Sequence, residues 1–168
     1  MNAVVVDLIY YMGHGRQIIC RGWHEPPREY CPPLSEREPT GTATSHTVVS
    51  DEMTAHAIGR DAGESYPEVL SSPMMISFME RTCAQTMLPL LEEGQMTVGV
   101  KFEVTHFKPT PVGSKFATHA TYLHREKSLY WFEVSCEDDA GAVAKGRHAR
   151  AIVDRATIEA DAGKRRTT

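Results

Sequence analysis

Three side chains with the chemistry of acyl transfer lie between positions 72 and 106 of the sequence. They are a hydroxyl, Ser72, a carboxylate, Glu80, and an imidazole, His106. Hydrolysis of an acyl bond requires a nucleophile at the carbonyl carbon, a group that transfers protons, and donors for the developing oxyanion. A hydroxyl or a carboxylate meets the first requirement and an imidazole the second. Whether they act together depends on the elements that carry them.

Ser72 and Glu80 lie on a predicted helix that begins at Ser72 and runs to a terminator at Gly94. Ser72 followed by Pro73 is typical of a helix start, with the hydroxyl at the N-cap and proline at the first helical position. Apolar residues then recur at helical spacing: Met75, Ile76, Phe78, Met79, Cys83, Met87, Leu90 and Leu91. On a helical wheel Glu80 shares the apolar face, which predicts a carboxylate that is partnered or perturbed by desolvation.

His106 ends the strand predicted after this helix. One parity of that strand is apolar and includes the histidine: Val98, Val100, Phe102, Val104 and His106. Residues of one parity share one face of a strand. Because Ser72 falls on the same broad helical face as Glu80, the pattern directs all three polar side chains towards one helix–sheet layer.

The order of elements predicts an α+β fold of the hotdog type. A first strand near His46 precedes the helix, and four strands joined by short turns follow it, which predicts antiparallel neighbours. A long central helix wrapped by a curved antiparallel sheet of five strands satisfies this order. The helix has more apolar circumference than one sheet covers, so we expect a homodimer or a dimer of dimers.

The composition indicates a single folded domain with polar ends. Residues 1–44 are rich in proline and charge and predict a poorly ordered N-terminal extension; residues 45–155 form the domain and residues 156–168 a polar tail that frays. A net charge of −4 gives no reason to expect a nucleic-acid partner. No apolar run approaches the roughly 20 residues of a membrane span.

The four cysteines indicate a reduced, cytoplasmic protein. Cys20, Cys31, Cys83 and Cys136 show no CxxC spacing, which disfavours a zinc site. The mildly apolar N-terminus lacks the basic residues of a signal peptide. We expect no metal.

From about His46 to Val153 the chain resembles the fluoroacetyl-CoA thioesterase family of hotdog proteins. Three segments carry the resemblance: YPEVLSSPMMISFMERTC, TVGVKFEVTHFKPTPVG and GRHARAIV. The resemblance implies an acyl-CoA thioesterase whose catalytic residues are Ser72, Glu80 and His106. It also implies substrate contacts from the backbone of Gly99, from Arg150, and from Tyr66 as an aromatic lid over the acyl pocket. Coenzyme A enters only as part of the substrate, so we expect no cofactor.

Two positions depart from the fluoroacetyl-CoA enzymes. The hydroxyl residue is Ser72 where the family enzyme has threonine, and the lid residue is Tyr66 where it has phenylalanine. Discrimination of fluorine from hydrogen requires a tight, dry pocket. We therefore interpret the chain as a broader short-chain acyl-CoA thioesterase, with a fluoroacetyl-like substrate among the candidates.

Several alternatives stay open at the level of the sequence. Ser72 can serve as an N-cap alone, Glu80 as an ion-pair partner of Arg150 or of a partner subunit, and His106 as a structural residue. His148 is a weaker site candidate. Glu80 can attack the thioester or activate water, and Ser72 can itself be the nucleophile. The alternative functions are a non-catalytic acyl-CoA-binding module and an acyl-CoA hydratase or dehydratase, although the Asp–His pair of hydratases is not found near the helix start.

Overall fold

The computed structural model describes residues 38–167, which contain the predicted order of one strand, a long helix and four further strands. The bounds are β1 Thr42–Val48, α1 Ala55–Gly59, α2 Ser72–Met87, β2 Gln95–His106, β3 Lys115–Glu126, β4 Leu129–Asp138, β5 Gly141–Asp154 and α3 Arg155–Lys164. Most of the predicted extension, residues 1–37, lies outside the described residues. β1 begins at Thr42, inside the last part of that predicted extension, because this strand pairs with β3 from its first residue.

The five strands form one antiparallel sheet in the order β1–β3–β4–β5–β2, which confirms the predicted α+β architecture. Tight turns join β3, β4 and β5; Lys127 (φ 56°) and Gly141 (φ 117°) supply the positive φ angles that such turns require. The prediction that β2 and β3 are neighbours is wrong, because β2 pairs with β5. The connection between β2 and β3 contains Pro109 and Pro111, and it crosses to the far side of the sheet.

Helix α2 packs across all five strands and forms the centre of the core. Its fully buried face comprises Met75, Met79, Thr82, Cys83 and Met87. The sheet supplies the facing apolar residues: Phe116, Ala120, Phe132, Val134, Cys136 and Val143. Each large buried side chain contributes about 1.5–3 kcal/mol relative to exposure. The helix is therefore held rigidly, and so are the polar residues at the margin of its buried face.

Both ends of α2 differ from the prediction. The N-cap is Ser71, whose hydroxyl accepts a hydrogen bond from the Met74 amide, and Ser72 is the first helical residue. Ser72 is thus not the cap, and its side chain is available for another contact. The helix ends at Met87 rather than near Gly94, because Pro89 cannot continue the hydrogen-bond ladder.

A β-bulge interrupts β2 between Gly99 and Lys101. Val100 is the extra residue, and it is 53% exposed. Before the bulge, Thr97 and Gly99 contact α2; after it, the inward parity passes to Phe102 and the residues that follow at even positions. The prediction of one uninterrupted apolar parity from Val98 to the strand end is therefore wrong, because one inserted residue moves every later side chain to the other face.

The polar tail contains a helix rather than a frayed segment. Asp154 caps α3 by accepting hydrogen bonds from the amide and hydroxyl of Thr157. The side chains of the helix are exposed. The sequence has no apolar stripe here, so the N-cap residue Asp154 is the one sequence feature that indicates this helix. Within residues 38–167, no helix combines the length and apolar character that crossing a membrane would require.

Candidate active site

Ser72 and His106 form a hydroxyl–imidazole pair at one end of α2. Ser72 Oγ lies 2.9 Å from His106 Nδ1, which joins the first residue of the helix to the last residue of β2. Ser72 is exposed and His106 is half-buried. The second ring nitrogen, Nε2, is buried and has no hydrogen-bond partner within the described residues. A buried polar atom without a partner is unfavourable and calls for a functional explanation.

Glu80 belongs to a second polar group, near the middle of α2. Its Oε1 accepts hydrogen bonds from the Gly99 amide and from Arg150 Nη1, each at 3.2 Å. The Glu80 side chain is nevertheless 39% exposed. A Cβ at position 99 would lie 2.5 Å from Oε1, so only glycine allows the carboxylate to reach the backbone there. The carboxylate is therefore fixed in direction without being sealed from the solvent.

Arg150 lies behind Glu80 and is almost fully buried, with 3% exposure. Besides the ion pair, Nη1 donates to the Glu80 carbonyl, Nη2 donates to the Thr97 carbonyl, and Nε donates to the Thr97 hydroxyl. Burial lowers the pKa of Arg150 and the charge of Glu80 opposes that shift. The ion pair proposed from the sequence is thus observed. The implied contact between Arg150 and the substrate stays a prediction.

Tyr66 lies before α2 and contacts neither polar group through a hydrogen bond. Its ring packs on Gly59 of α1, where a Cβ would lie 2.6 Å from Tyr66 Cδ2. The side chain is 48% exposed. Its role as a lid stays a prediction.

The structure brings the predicted residues together as two groups rather than one. Ser72 and Glu80 are eight positions apart on α2, roughly 12 Å along the axis. Gly99 lies near the middle of β2 and His106 is its last residue, roughly 20 Å away. Within one chain, as described over residues 38–167, no hydrogen bond links the Ser72–His106 pair to the Glu80 group.

Two neighbours of Arg150 complete the second group. Thr97 received no role from the sequence, although it precedes Gly99 by two residues and so shares its face. His148, the weaker candidate, is fully buried beside Arg150. Burial lowers the pKa of His148 to about 4, so its imidazole is neutral at neutral pH. Only the alternation of β5 could have signalled the contact between these two side chains.

Comparison with known proteins relates the chain to thioesterases. The model of the family described as fluoroacetyl-CoA-specific thioesterase matches residues 49–156. The fluoroacetyl-CoA thioesterase of Streptantibioticus cattleyicolor is 32% identical over 88 residues. That match covers 52% of this chain and 63% of the relative, which is less than two thirds of the relative's length.

Solved structures agree with this assignment. A structure of the fluoroacetyl-CoA thioesterase superposes with a TM-score of 0.72 at 26% identity, covering 76% of this chain and 96% of that one. A thioesterase superfamily member from Thermus thermophilus gives a TM-score of 0.69 at 25% identity, covering 82% and 96%. With a family match over more than half of its length, the chain belongs to the fluoroacetyl-CoA-specific thioesterase family.

Proposed function

We propose that this protein is an acyl-CoA thioesterase that hydrolyses a short-chain acyl-CoA to the free acid and coenzyme A. The observation that carries the proposal is the Glu80 carboxylate, which the Gly99 amide and Arg150 orient while 39% of the side chain stays exposed. A carboxylate with this combination of orientation and access can act on a bound electrophile. Membership of a family described as thioesterases supports the same reaction.

Two routes use Glu80 in this reaction. In the first, Glu80 attacks the thioester carbonyl, the C–S bond breaks, and water then hydrolyses the mixed anhydride to release the acid and regenerate Glu80. In the second, Glu80 accepts a proton from water as that water attacks the carbonyl carbon. Both routes release coenzyme A as a thiolate that takes up a proton. Neither requires a cofactor.

His106 and Ser72 supply the proton transfer in this proposal. The pair is in hydrogen-bond contact at 2.9 Å, within the range of proton transfer between a hydroxyl and an imidazole. His106 protonates the departing thiolate, and Ser72 orients the ring. The same contact keeps Ser72 open as a nucleophile with His106 as its base, because a hydroxyl bonded to an imidazole is the usual form of an activated serine.

We infer that the working site forms between two chains of a homodimer, which can pair further as a dimer of dimers. The roughly 12 Å between Ser72 and Glu80 along α2 is too long for both to reach one thioester carbon from one chain. A second chain with its helix reversed would set its Glu80 beside the first chain's Ser72–His106 pair. Within residues 38–167, β2 lies at the edge of the sheet and carries an exposed apolar residue, Val100, so its outer backbone groups are placed to pair with such a partner.

The substrate class follows from the residue types near the helix entry. Ser72 is smaller than the threonine of the fluoroacetyl-CoA enzymes, and Tyr66 carries a hydroxyl that a phenylalanine lid lacks. The smaller serine favours a wider acyl pocket, and the tyrosine hydroxyl favours a wetter one. The proposed substrates are therefore short-chain acyl-CoAs in general, with fluoroacetyl-CoA included.

Free-thiol release from acyl-CoAs of increasing length, from acetyl to octanoyl with fluoroacetyl included, tests the activity. We expect release to be fastest for short chains. Binding of acyl-CoA with no release from any member would contradict the proposal and favour the binding module. If the protein instead hydrates an α,β-unsaturated acyl-CoA and releases no thiol, the hydratase would be favoured.

Mixed dimers test the shared site. A chain carrying Ser72→Ala and His106→Ala is combined with a chain carrying Glu80→Gln, and each is expected to have at most about a tenth of the wild-type activity by itself. If the site is shared, the mixed dimer holds one complete site and recovers about half of the wild-type activity per dimer, since one of two sites is intact. No recovery in a mixed dimer of confirmed composition would contradict it.

A further inference from the structure

His148 is a fully buried histidine of β5 that makes two directed hydrogen bonds. Its Nδ1 lies 2.9 Å from the carbonyl of Lys101, and its Nε2 lies 3.1 Å from Arg150 Nη1. The ring also stacks on Phe102, with centroids 3.9 Å apart and planes inclined by 15°. A ring fixed on both nitrogens and on one face has little freedom to rotate.

The two partners allow only one protonation state of this ring. A carbonyl oxygen accepts hydrogen bonds and cannot donate them, so Nδ1 carries the hydrogen. A guanidinium donates and has no acceptor, so Nε2 presents its lone pair to Arg150. Burial lowers the pKa of His148 to about 4, in agreement with a neutral ring beside a cationic guanidinium. The imidazole therefore only accepts a hydrogen bond from Arg150 and never donates one to it.

The bulge of β2 connects this histidine to Glu80. Lys101, whose carbonyl orients the ring, directly follows the bulged residue Val100. Gly99, whose amide binds Glu80, directly precedes it. A Cβ at Gly99 would lie 2.5 Å from Glu80 Oε1 and 3.1 Å from His148 Cε1, so the glycine lies close to both the carboxylate and the ring.

We propose that His148 is a positioning residue: its Nε2 lone pair fixes Arg150 Nη1, which in turn holds Glu80 Oε1 in the direction required for the reaction. The inference rests on the proposed catalytic role of Glu80. Arg150 Nη1 also donates to the Glu80 carbonyl, so displacement of this one nitrogen affects both the carboxylate and the helix backbone that carries it.

Two substitutions separate the two hydrogen bonds of the ring. In His148→Gln, the side-chain oxygen can reach the position of Nε2 and accept from Arg150. In His148→Asn, the shorter amide keeps a donor for the Lys101 carbonyl and loses the acceptor for Arg150. Phe102→Leu serves as the control, because it removes the ring stacking and leaves both hydrogen bonds in place. Thermal unfolding of each variant checks that it is folded.

The kcat for thiol release should stay high in the variants that keep an acceptor for Arg150 Nη1 and fall in the variant that lacks one. We expect His148→Asn to lower kcat about tenfold to a hundredfold with little change in KM, because a misdirected catalytic group impairs the transition state more than binding. We expect His148→Gln and Phe102→Leu to stay within about threefold of wild type. Folded His148→Asn and His148→Gln proteins with equal kcat would overturn the proposal.

A second readout does not depend on activity. In protein with ¹⁵N-labelled arginine, solvent exchange of the Arg150 guanidinium hydrogens should be slow in wild type and His148→Gln. It should be at least about tenfold faster in His148→Asn. Without the acceptor at position 148, the Nη1 hydrogens leave their hydrogen bonds more often and exchange with water. Unchanged exchange in His148→Asn would overturn the role of His148. Inactivity of the wild type towards every acyl-CoA would instead refute the proposed function.

Discussion

At the scale of single residues, one oxygen atom of Glu80 organises the second polar group. Oε1 accepts from a backbone amide and from a guanidinium, and the glycine that donates the amide leaves no room for a Cβ. Charge-assisted hydrogen bonds of this kind are stronger than neutral ones. They orient the carboxylate, whereas the exposed remainder of the side chain stays accessible.

The Ser72–His106 pair makes a prediction at this scale. If the two residues act as one unit, Ser72→Ala and His106→Ala each lower kcat about tenfold or more, and the double variant is no worse than the more damaged single variant. Steady-state thiol release measures all three proteins. His46→Ala, an exposed histidine of β1, is the control and should retain wild-type rates. Losses that multiply in the double variant would mean that the two residues act independently.

The sequence predicted the types of these residues better than their contacts. Glu80 stood out because a carboxylate on an apolar helical face requires a partner, and Arg150 was a candidate for that partner. The tandem serines were misassigned, since either hydroxyl can cap a helix and only the backbone angles assign the cap to Ser71. His148 could not be ranked, because the Lys101 carbonyl that orients its ring lies 47 positions away in the chain and no spacing pattern signals that contact.

At the scale of elements, the bulge of β2 determines where the strand meets the helix. Because of the bulge, Gly99, which precedes it, faces Glu80, and His106, which follows it, faces Ser72. The sequence contains no separate signal for this bulge apart from Gly99 itself, a residue that often marks one. Periodicity alone therefore predicted an unbroken strand and gave the wrong parity for Val98 and Val100.

Gly99→Ala tests the close approach of these two elements. The added methyl would lie 2.5 Å from Glu80 Oε1, so the carboxylate must move away from the amide. We expect kcat to fall at least about tenfold, because a small displacement of a reacting group has a large effect on rate.

The control for this substitution is Gly163→Ala in α3, where an added Cβ has no neighbour within 4 Å. It should leave kcat unchanged and raise the free energy of unfolding by up to about 1 kcal/mol through helix propensity. Full activity of Gly99→Ala would show that Glu80 does not depend on this contact.

At the scale of the whole molecule, the interior contains a buried histidine, His148, whose pKa is lowered by burial. The pKa of His148 is about 4 in the folded protein, and an unfolded histidine has a pKa of about 6.5. The unfolded chain therefore binds the proton first as the pH falls. The stabilisation is complete above about pH 6.5 and is lost progressively towards pH 4.

Chemical denaturation at pH 7.5 and pH 4.5 measures this contribution. The free energy of unfolding of wild type should fall by about 2–3 kcal/mol more than that of His148→Gln, because the amide does not titrate and the carboxylates contribute alike to both proteins. An equal fall in the two proteins would mean that His148 is not held neutral.

The claim that Glu80 is the catalytic carboxylate is tested by one comparison of rates. Wild type, Glu80→Gln and the exposed control Glu92→Gln are compared in kcat/KM for the preferred short-chain acyl-CoA, with circular dichroism to confirm the fold. The proposal predicts that Glu80→Gln loses about a hundredfold to ten-thousandfold in rate, as expected for removal of a catalytic carboxylate, and that Glu92→Gln loses nothing. Near-normal hydrolysis by folded Glu80→Gln would contradict the claim and leave the carboxylate a structural partner of Arg150.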